Sequence, residues 1–304
     1  MIFFSVMILG AFLTSISLTT KPLQMKKIQF ILPVFIFLLL VLSQTLKAQG
    51  NLMLFQKRVV FEGSKRIATV DYANTGQDTA RYVVSLIHNK MNENGLFERL
   101  PDTVTSEWFA DKYVRIFPRN IVLGPNEAQT MKIQLINTQG MKPGEYRSHM
   151  FFRSVPDKEQ QKKNKNTDST DNNISISLKP VFGFTIPVII RLGKDSTVTN
   201  LTNIKIEKTN DTAYSVSYDI IRQGNFSVFG NITVIYISAA KTETEVGCIK
   251  GLAVYTPGNT RHCSISLKNS ELIDYKKGKL RLIYSKPTDE KGTKLAEEEL
   301  ELGE

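Results

Sequence analysis

The stretch NISISLKPVFGFTIPVIIR, Asn173 to Arg191, decides how this chain is read. Every second residue from Ile174 is apolar (Ile174, Ile176, Leu178, Pro180, Phe182, Phe184, Ile186). Between them lie Ser175, Ser177, Lys179, Val181, Gly183 and Thr185. A period of two puts an apolar row on one face of a strand and a largely polar or small row on the other. Pro180 has no N–H to give to a ladder, which argues for an edge position. A long apolar edge invites pairing with another chain unless something covers it. The expectation is a strand at the margin of a sheet, its apolar row covered either by the rest of this chain or by a different chain.

Working outward, the same punctuation recurs. NLMLFQKRVVFEG, KRIATVDYANTG, ARYVVSLIHNKM, EWFADKYVRIFP, NIVLGPNEAQTMKIQLINTQG and GEYRSHMFFRSVP each hold a strand-like run closed by Gly, Pro or Asn. Asp157 to Asn173 contain no apolar residue, so a solvated surface loop is expected there. Arg191 to Ser196, RLGKDS, read as a linker. LTNIKIEK, AYSVSYDII, VFGNITVIYIS, TEVGCIKGLAVY, HCSISLK, GKLRLIYSK and KLAEEELEL then form a second set of strand-like runs. Many short strands at turn-bounded spacing, with almost no helical periodicity, predict an all-β chain of two sandwiches in series. The boundaries expected are 49–192 for the first domain, 193–199 for the linker and 200–304 for the second.

The N-terminus is of another kind. Met25-Lys26-Lys27 precede the apolar run Ile28 to Leu42, and a polar exit ends at Ala48. That order describes a secretory signal peptide starting at Met25, within a leader spanning residues 1–48. The alternative is a two-helix membrane anchor, with the apolar residues upstream of Met25 as its first helix. The leader holds four of the chain's 39 basic residues and no acid, leaving 35 basic against 29 acidic, an interleaved excess of +6. Without a dense basic stripe or an aromatic platform, nucleic acid is not an expected partner. Cys248 and Cys263 are the only cysteines. In an exported chain an even pair suggests one disulfide, the alternative being two unpaired buried thiols.

Sites for chemistry are not legible. His88, His149 and His262 stand far apart without acid or cysteine partners at ligand spacing, so neither a metal nor another cofactor is expected. No nucleophile elbow, phosphate loop or dinucleotide fingerprint occurs. Gly224 to Gly230 is bounded by glycines but reads as a sandwich turn, and Trp108 as a core or interface filler. No catalytic residue is assigned, and an enzyme is the remotest reading.

Lys57 to Gly63 (KRVVFEG), Ile67 to Gly76 (IATVDYANTG) and Pro118 to Thr130 (PRNIVLGPNEAQT) resemble segments of PapD-like periplasmic pilus chaperones. Gly144 to Phe152 with Val155-Pro156 follow, and Thr185 to Arg191 (TIPVIIR) resembles the archaic branch, as do Arg222 to Gly230 and Lys294 to Glu297. The segments occur in order across the chain beyond the leader. The resemblance implies two immunoglobulin-like domains in a boomerang, located in the periplasm of a Gram-negative cell. It implies capture of fimbrial or surface-polymer subunits whose sandwich is incomplete, by lending an edge strand. An outer-membrane usher as recipient and self-association when idle are further expectations.

On this reading Ile174, Ile176, Leu178, Phe182 and Phe184 form the client-pairing row. Burying four such side chains contributes on the order of 6–12 kcal/mol gross, before the cost of ordering the segment. The resemblance also implies that Arg58 anchors the client's C-terminal carboxylate. The lysine expected to assist it on the lending strand is missing, since Val181, Phe182 or Gly183 stands there. Lys179 and Arg191 are the candidate substitutes. The alternative function is structural: a two-domain sandwich docked permanently in a cell-surface assembly or adhesin, its edge paired internally.

Overall fold

The computed structural model describes residues 52–155, 181–209, 213–268, 273–287 and 292–303. The leader, the loop from Asp157, and Ile174, Ile176, Leu178, Lys179 and Pro180 lie outside the described residues. Over the described part the chain is all-β, with one short 3-10 turn at Asp111–Tyr113.

Eleven strands precede Gly193. They are β1 (Leu52–Leu54), β2 (Val59–Phe61), β3 (Ile67–Asn74), β4 (Ala80–Ile87), β5 (Asn89–Met91), β6 (Phe97–Arg99), β7 (Val114–Phe117), β8 (Asn120–Leu123), β9 (Ala128–Leu135), β10 (Gly144–Ser154) and β11 (Gly183–Leu192). They build two sheets, β1-β3-β9-β7 and β2-β11-β10-β4-β8, with β5 and β6 as a separate hairpin. Seven follow: β12 (Val198–Lys208), β13 (Tyr214–Gln223), β14 (Val228–Ile237), β15 (Glu243–Val254), β16 (Thr260–Ser266), β17 (Gly278–Ser285) and β18 (Lys294–Leu302). Their sheets are β12-β13-β16 and β15-β14-β17-β18.

Alternation explains each layer. In β14 every second residue from Val228 to Tyr236 is buried, and β17 turns Leu280, Leu282 and Tyr284 into the same core. Val70, Tyr72, Met131, Ile133, Met150, Phe152 and Val188 fill the other core. β10 departs from this pattern, because Gly144 to Tyr146 and Ser148 to Met150 are buried in succession. A strand reads that way only where both faces are covered. The second cover is the following sandwich, whose apolar cluster takes in Met91 and Ile189 from the preceding one, with Val60 packed against it.

The chain's beginning crosses between sheets. β1 pairs antiparallel with β3, while β2, five residues later, pairs parallel with β11. The split sets where β11 has a neighbour and where it does not.

The expected disulfide is corrected. Cys248 and Cys263 are both free, Cys248 exposed on β15 and Cys263 packed against the core on β16. The two strands belong to different sheets, and one thiol faces solvent while the other faces inward. Neither thiol is bonded to the other in this arrangement. A thiol-specific reagent is expected to titrate both groups without reductant, Cys248 rapidly and Cys263 slowly, because burial raises the Cys263 pKa and withholds its thiolate. Finding no thiol without reductant would reverse this assignment.

Candidate functional site

Among the described residues, β11 has a strand partner along its whole length on one side only. On that side it pairs antiparallel with β10 from Gly183 to Leu192. On the other it meets β2 only at Val188, Ile189 and Ile190. The Ser154 N–H donates to the Phe182 carbonyl at 2.8 Å, so these two face each other as a bonded pair. Alternation along the unbroken register then turns the main chain of Phe184, Ile186 and Val188 toward β10. The main-chain groups of Gly183, Thr185 and Pro187 turn the other way. Those of Gly183 and Thr185 have no strand partner among the described residues.

The side chains divide at the same place. Ile186 is buried in its own sandwich, and Phe184 stacks on Phe152 with ring centroids 5.1 Å apart. Phe184, assigned from the sequence to the client-pairing row, is thus packed at least in part on its own sandwich. Phe182 and Val181 are 54% and 52% exposed. The apolar row leaves its own core between Phe184 and Phe182.

Arg58 stands immediately before β2. Carrying the β2 register back one residue sets it opposite Pro187, where the unpaired part of β11 ends. Its guanidinium lies 4.3 Å from the ring centroid of Phe229, a residue of β14, which places it at the junction of the two sandwiches.

Arg191 is differently placed. Its Nε donates to Glu145 at 3.0 Å, one Nη to Glu62 at 2.6 Å and the other to the Ser227 carbonyl at 2.7 Å. Glu145, with no exposed side-chain surface, also accepts from the Ser227 N–H (2.8 Å), the Ser227 hydroxyl (2.7 Å) and the Thr256 hydroxyl (3.2 Å). This network ties β10 and β11 to the loops flanking β14 and β15. Arg191 thus has its donors engaged across the junction, and its nearest anions belong to this chain.

A second tie is the β5–β6 hairpin, which lies against the second sandwich. The His262 N–H donates to the Glu93 carbonyl at 2.7 Å, and the Phe97 ring sits between His149 (5.1 Å) and Tyr255 (5.9 Å). The His262 ring contacts Asp219 at 2.6 Å and Glu93 at 3.4 Å. The Asp219 hydrogen bond raises the His262 pKa. Sequence reading missed Glu145, Ser227 and this hairpin as junction residues. The available signal was the acid Glu145 within the strand-like run GEYRSHMFFRSVP.

No family model matches the chain, and no curated protein does. Among solved structures, the chain is similar to the YadV chaperone, at 12% identity, over 83% of this chain and 100% of that one, with a TM-score of 0.41. It is similar to the CupB2 chaperone of Pseudomonas aeruginosa at 11% identity, over 83% and 100%, with a TM-score of 0.38. It is also similar, at 10% identity, over 84% and 99% and with a TM-score of 0.40, to the structure of the CsuC–CsuE chaperone–tip subunit pre-assembly complex of Acinetobacter baumannii. Each of these structures, by its name, contains a chaperone, and the chain is similar to each over most of its length.

Proposed function

We propose that the protein is a periplasmic chaperone that holds incomplete subunits of a fimbrial or other surface polymer by adding its own strand to theirs and passes them on for assembly. The observation that carries this reading is the unpaired edge of β11. The N–H and C=O groups of Gly183 and Thr185 face away from β10, and no described strand answers them. An extended segment of another chain would complete that ladder and gain register from it. The exposed Phe182, at the end where the row leaves its own core, supplies an apolar contact for the added segment.

Arg58, opposite Pro187, marks the inner end of the edge. A chain terminus arriving there would present its carboxylate to a guanidinium already oriented by Phe229. Arg191 is hydrogen-bonded to Glu145, Glu62 and Ser227, and the anchor we favour is Arg58, for its place opposite Pro187 where the edge ends.

The test is co-expression with a subunit whose immunoglobulin-like sandwich lacks its last strand, followed by co-purification. Thr185→Pro removes one outward N–H without removing a bond to β10, and Ile176→Asp with Leu178→Asp charges the apolar row. Both variants are expected to melt as the parent does and to retain less than about a tenth of the captured subunit, the loss of roughly one well-made interaction being tenfold. Undiminished capture by both would end the strand-lending reading.

A further inference from the structure

The tip of the β5–β6 hairpin is built to sit on the second sandwich. Asn92 closes its turn, the side-chain carbonyl accepting the N–H groups of Asn94 and Leu96 at 3.1 and 3.0 Å. Gly95 takes a positive φ of 77°. A Cβ there would lie 2.5 Å from an Nη of Arg261, so the turn rests on that side chain at a distance only glycine allows. Arg261 is in turn held by the Ala253 carbonyl at 2.8 Å. Glu93, at the tip, accepts the main-chain N–H of His262 and turns its carboxylate to the ring of the same residue.

The His262 imidazole stands between carboxylates from the two sandwiches. Nδ1 lies 2.6 Å from Asp219 of β13, and Nε2 lies 3.4 Å from Glu93. A neutral imidazole has one N–H and one lone pair, whereas an imidazolium donates from both nitrogens. Asp219, to which the Asn203 amide donates at 2.7 Å, is the closer acceptor, so the last proton stays on Nδ1. Loss of the other proton turns the Nε2 lone pair toward the Glu93 carboxylate, and an attractive contact becomes a repulsive one. The charged groups that face the ring are Asp219 and Glu93. Lys205 of β12 bears electrostatically on Asp219, and Arg261 is turned to the Ala253 carbonyl. The side chains of His262 and Glu93 are 49% and 71% exposed, so water screens the coupling and keeps it modest.

We infer that this cluster is a proton-dependent latch, in which protonated His262 holds the hairpin of the first sandwich on the second and neutral His262 loosens it. The docked hairpin favours the charged ring, so the latch is complete below the ordinary histidine value of about 6.5. It is lost as pH rises through the folded value, which Asp219 first, and then Glu93, hold above the ordinary one. The acid response of His149 lies on the other side of pH 6.5 and does not overlap this window. The latch does not depend on strand lending, and client capture is read separately.

The main-chain N–H of His262, bonded to the Glu93 carbonyl at 2.7 Å, reports on docking directly, because it exchanges with solvent when the hairpin lifts. Its protection, corrected for the intrinsic exchange rate, is followed by NMR in the intact protein from pH 6.5 to 8.5, with amides of the central strand β14 as reference. Expected is a fall of about two- to fivefold at His262 while the reference stays level, the span of an exposed ion pair. Glu93→Gln keeps the main-chain carbonyl but not the charge, and should flatten the response. Asp219→Asn weakens the hold on the ring's protons and should move the fall to lower pH. Protection at His262 that does not change with pH, an equal fall in Glu93→Gln, or an unmoved fall in Asp219→Asn would overturn the latch.

Discussion

Replacing Glu145 by alanine is expected to destabilise the protein by about 3 kcal/mol or more, because breaking a buried ion pair from one side leaves the other charge uncompensated. The Glu145 side chain has no exposed surface and Arg191 has 14%, so water cannot replace the lost partner. Arg191 would keep the more exposed Glu62 and the Ser227 carbonyl, which sets the expectation at the lower end of the usual 3–5 kcal/mol range. The Ser227 N–H and hydroxyl would lose their acceptor in the same step. The measurement is the urea midpoint at neutral pH. Changing Glu145 and Arg191 together to methionine removes both charges and is expected to recover a large part of the loss. A loss under about 1 kcal/mol for Glu145→Ala would show that the bridge adds little beyond what solvent supplies.

Acidification is expected to weaken the fold through His149. The imidazole lies inside β10 with neither nitrogen hydrogen-bonded among the described residues, the Phe97 ring at 5.1 Å and Arg147 nearby. Burial first, then the like charges of Arg147 and His88, push its pKa from the ordinary 6.5 down to about 3. Because the folded value lies below the unfolded one, the neutral form is favoured by folding. Stability is complete above about pH 6.5 and falls as pH drops toward 3, by at most about 1.4 kcal/mol per pH unit for one such group. Two units of acidification therefore cost about 2–3 kcal/mol. His88, lowered chiefly by burial, acts in the same direction, whereas His262, raised by Asp219, acts in the opposite one. The difference between the parent and His149→Phe isolates the effect. The variant should be the less acid-sensitive between pH 6.5 and 4.5, and parallel stability curves would assign the acid response elsewhere.

Both predictions concern residues whose roles the chain order conceals. Alternation made β11 readable as a strand with one apolar face, because a pleated backbone converts every second residue into one face. The same row did not reveal where its own core ends. That point depends on Phe152 of β10, stacked on Phe184, and on how far β2 runs beside β11. The cysteine pairing misled for a related reason, since spacing along the chain does not say which sheet a strand joins or which face it turns outward. Arg191 was read as a cation available to a partner, yet Glu145, 46 residues away, holds it.

The sequence by itself determined the all-β class, the serial order of strand-like runs and the candidate edge, because these rest on local periodicity and turn chemistry. Only the tertiary structure decided which charges are already matched and which main-chain groups of β11 face outward. Those properties arise where segments distant in the chain meet, and the energy of a buried charge or donor is set by its neighbours in space.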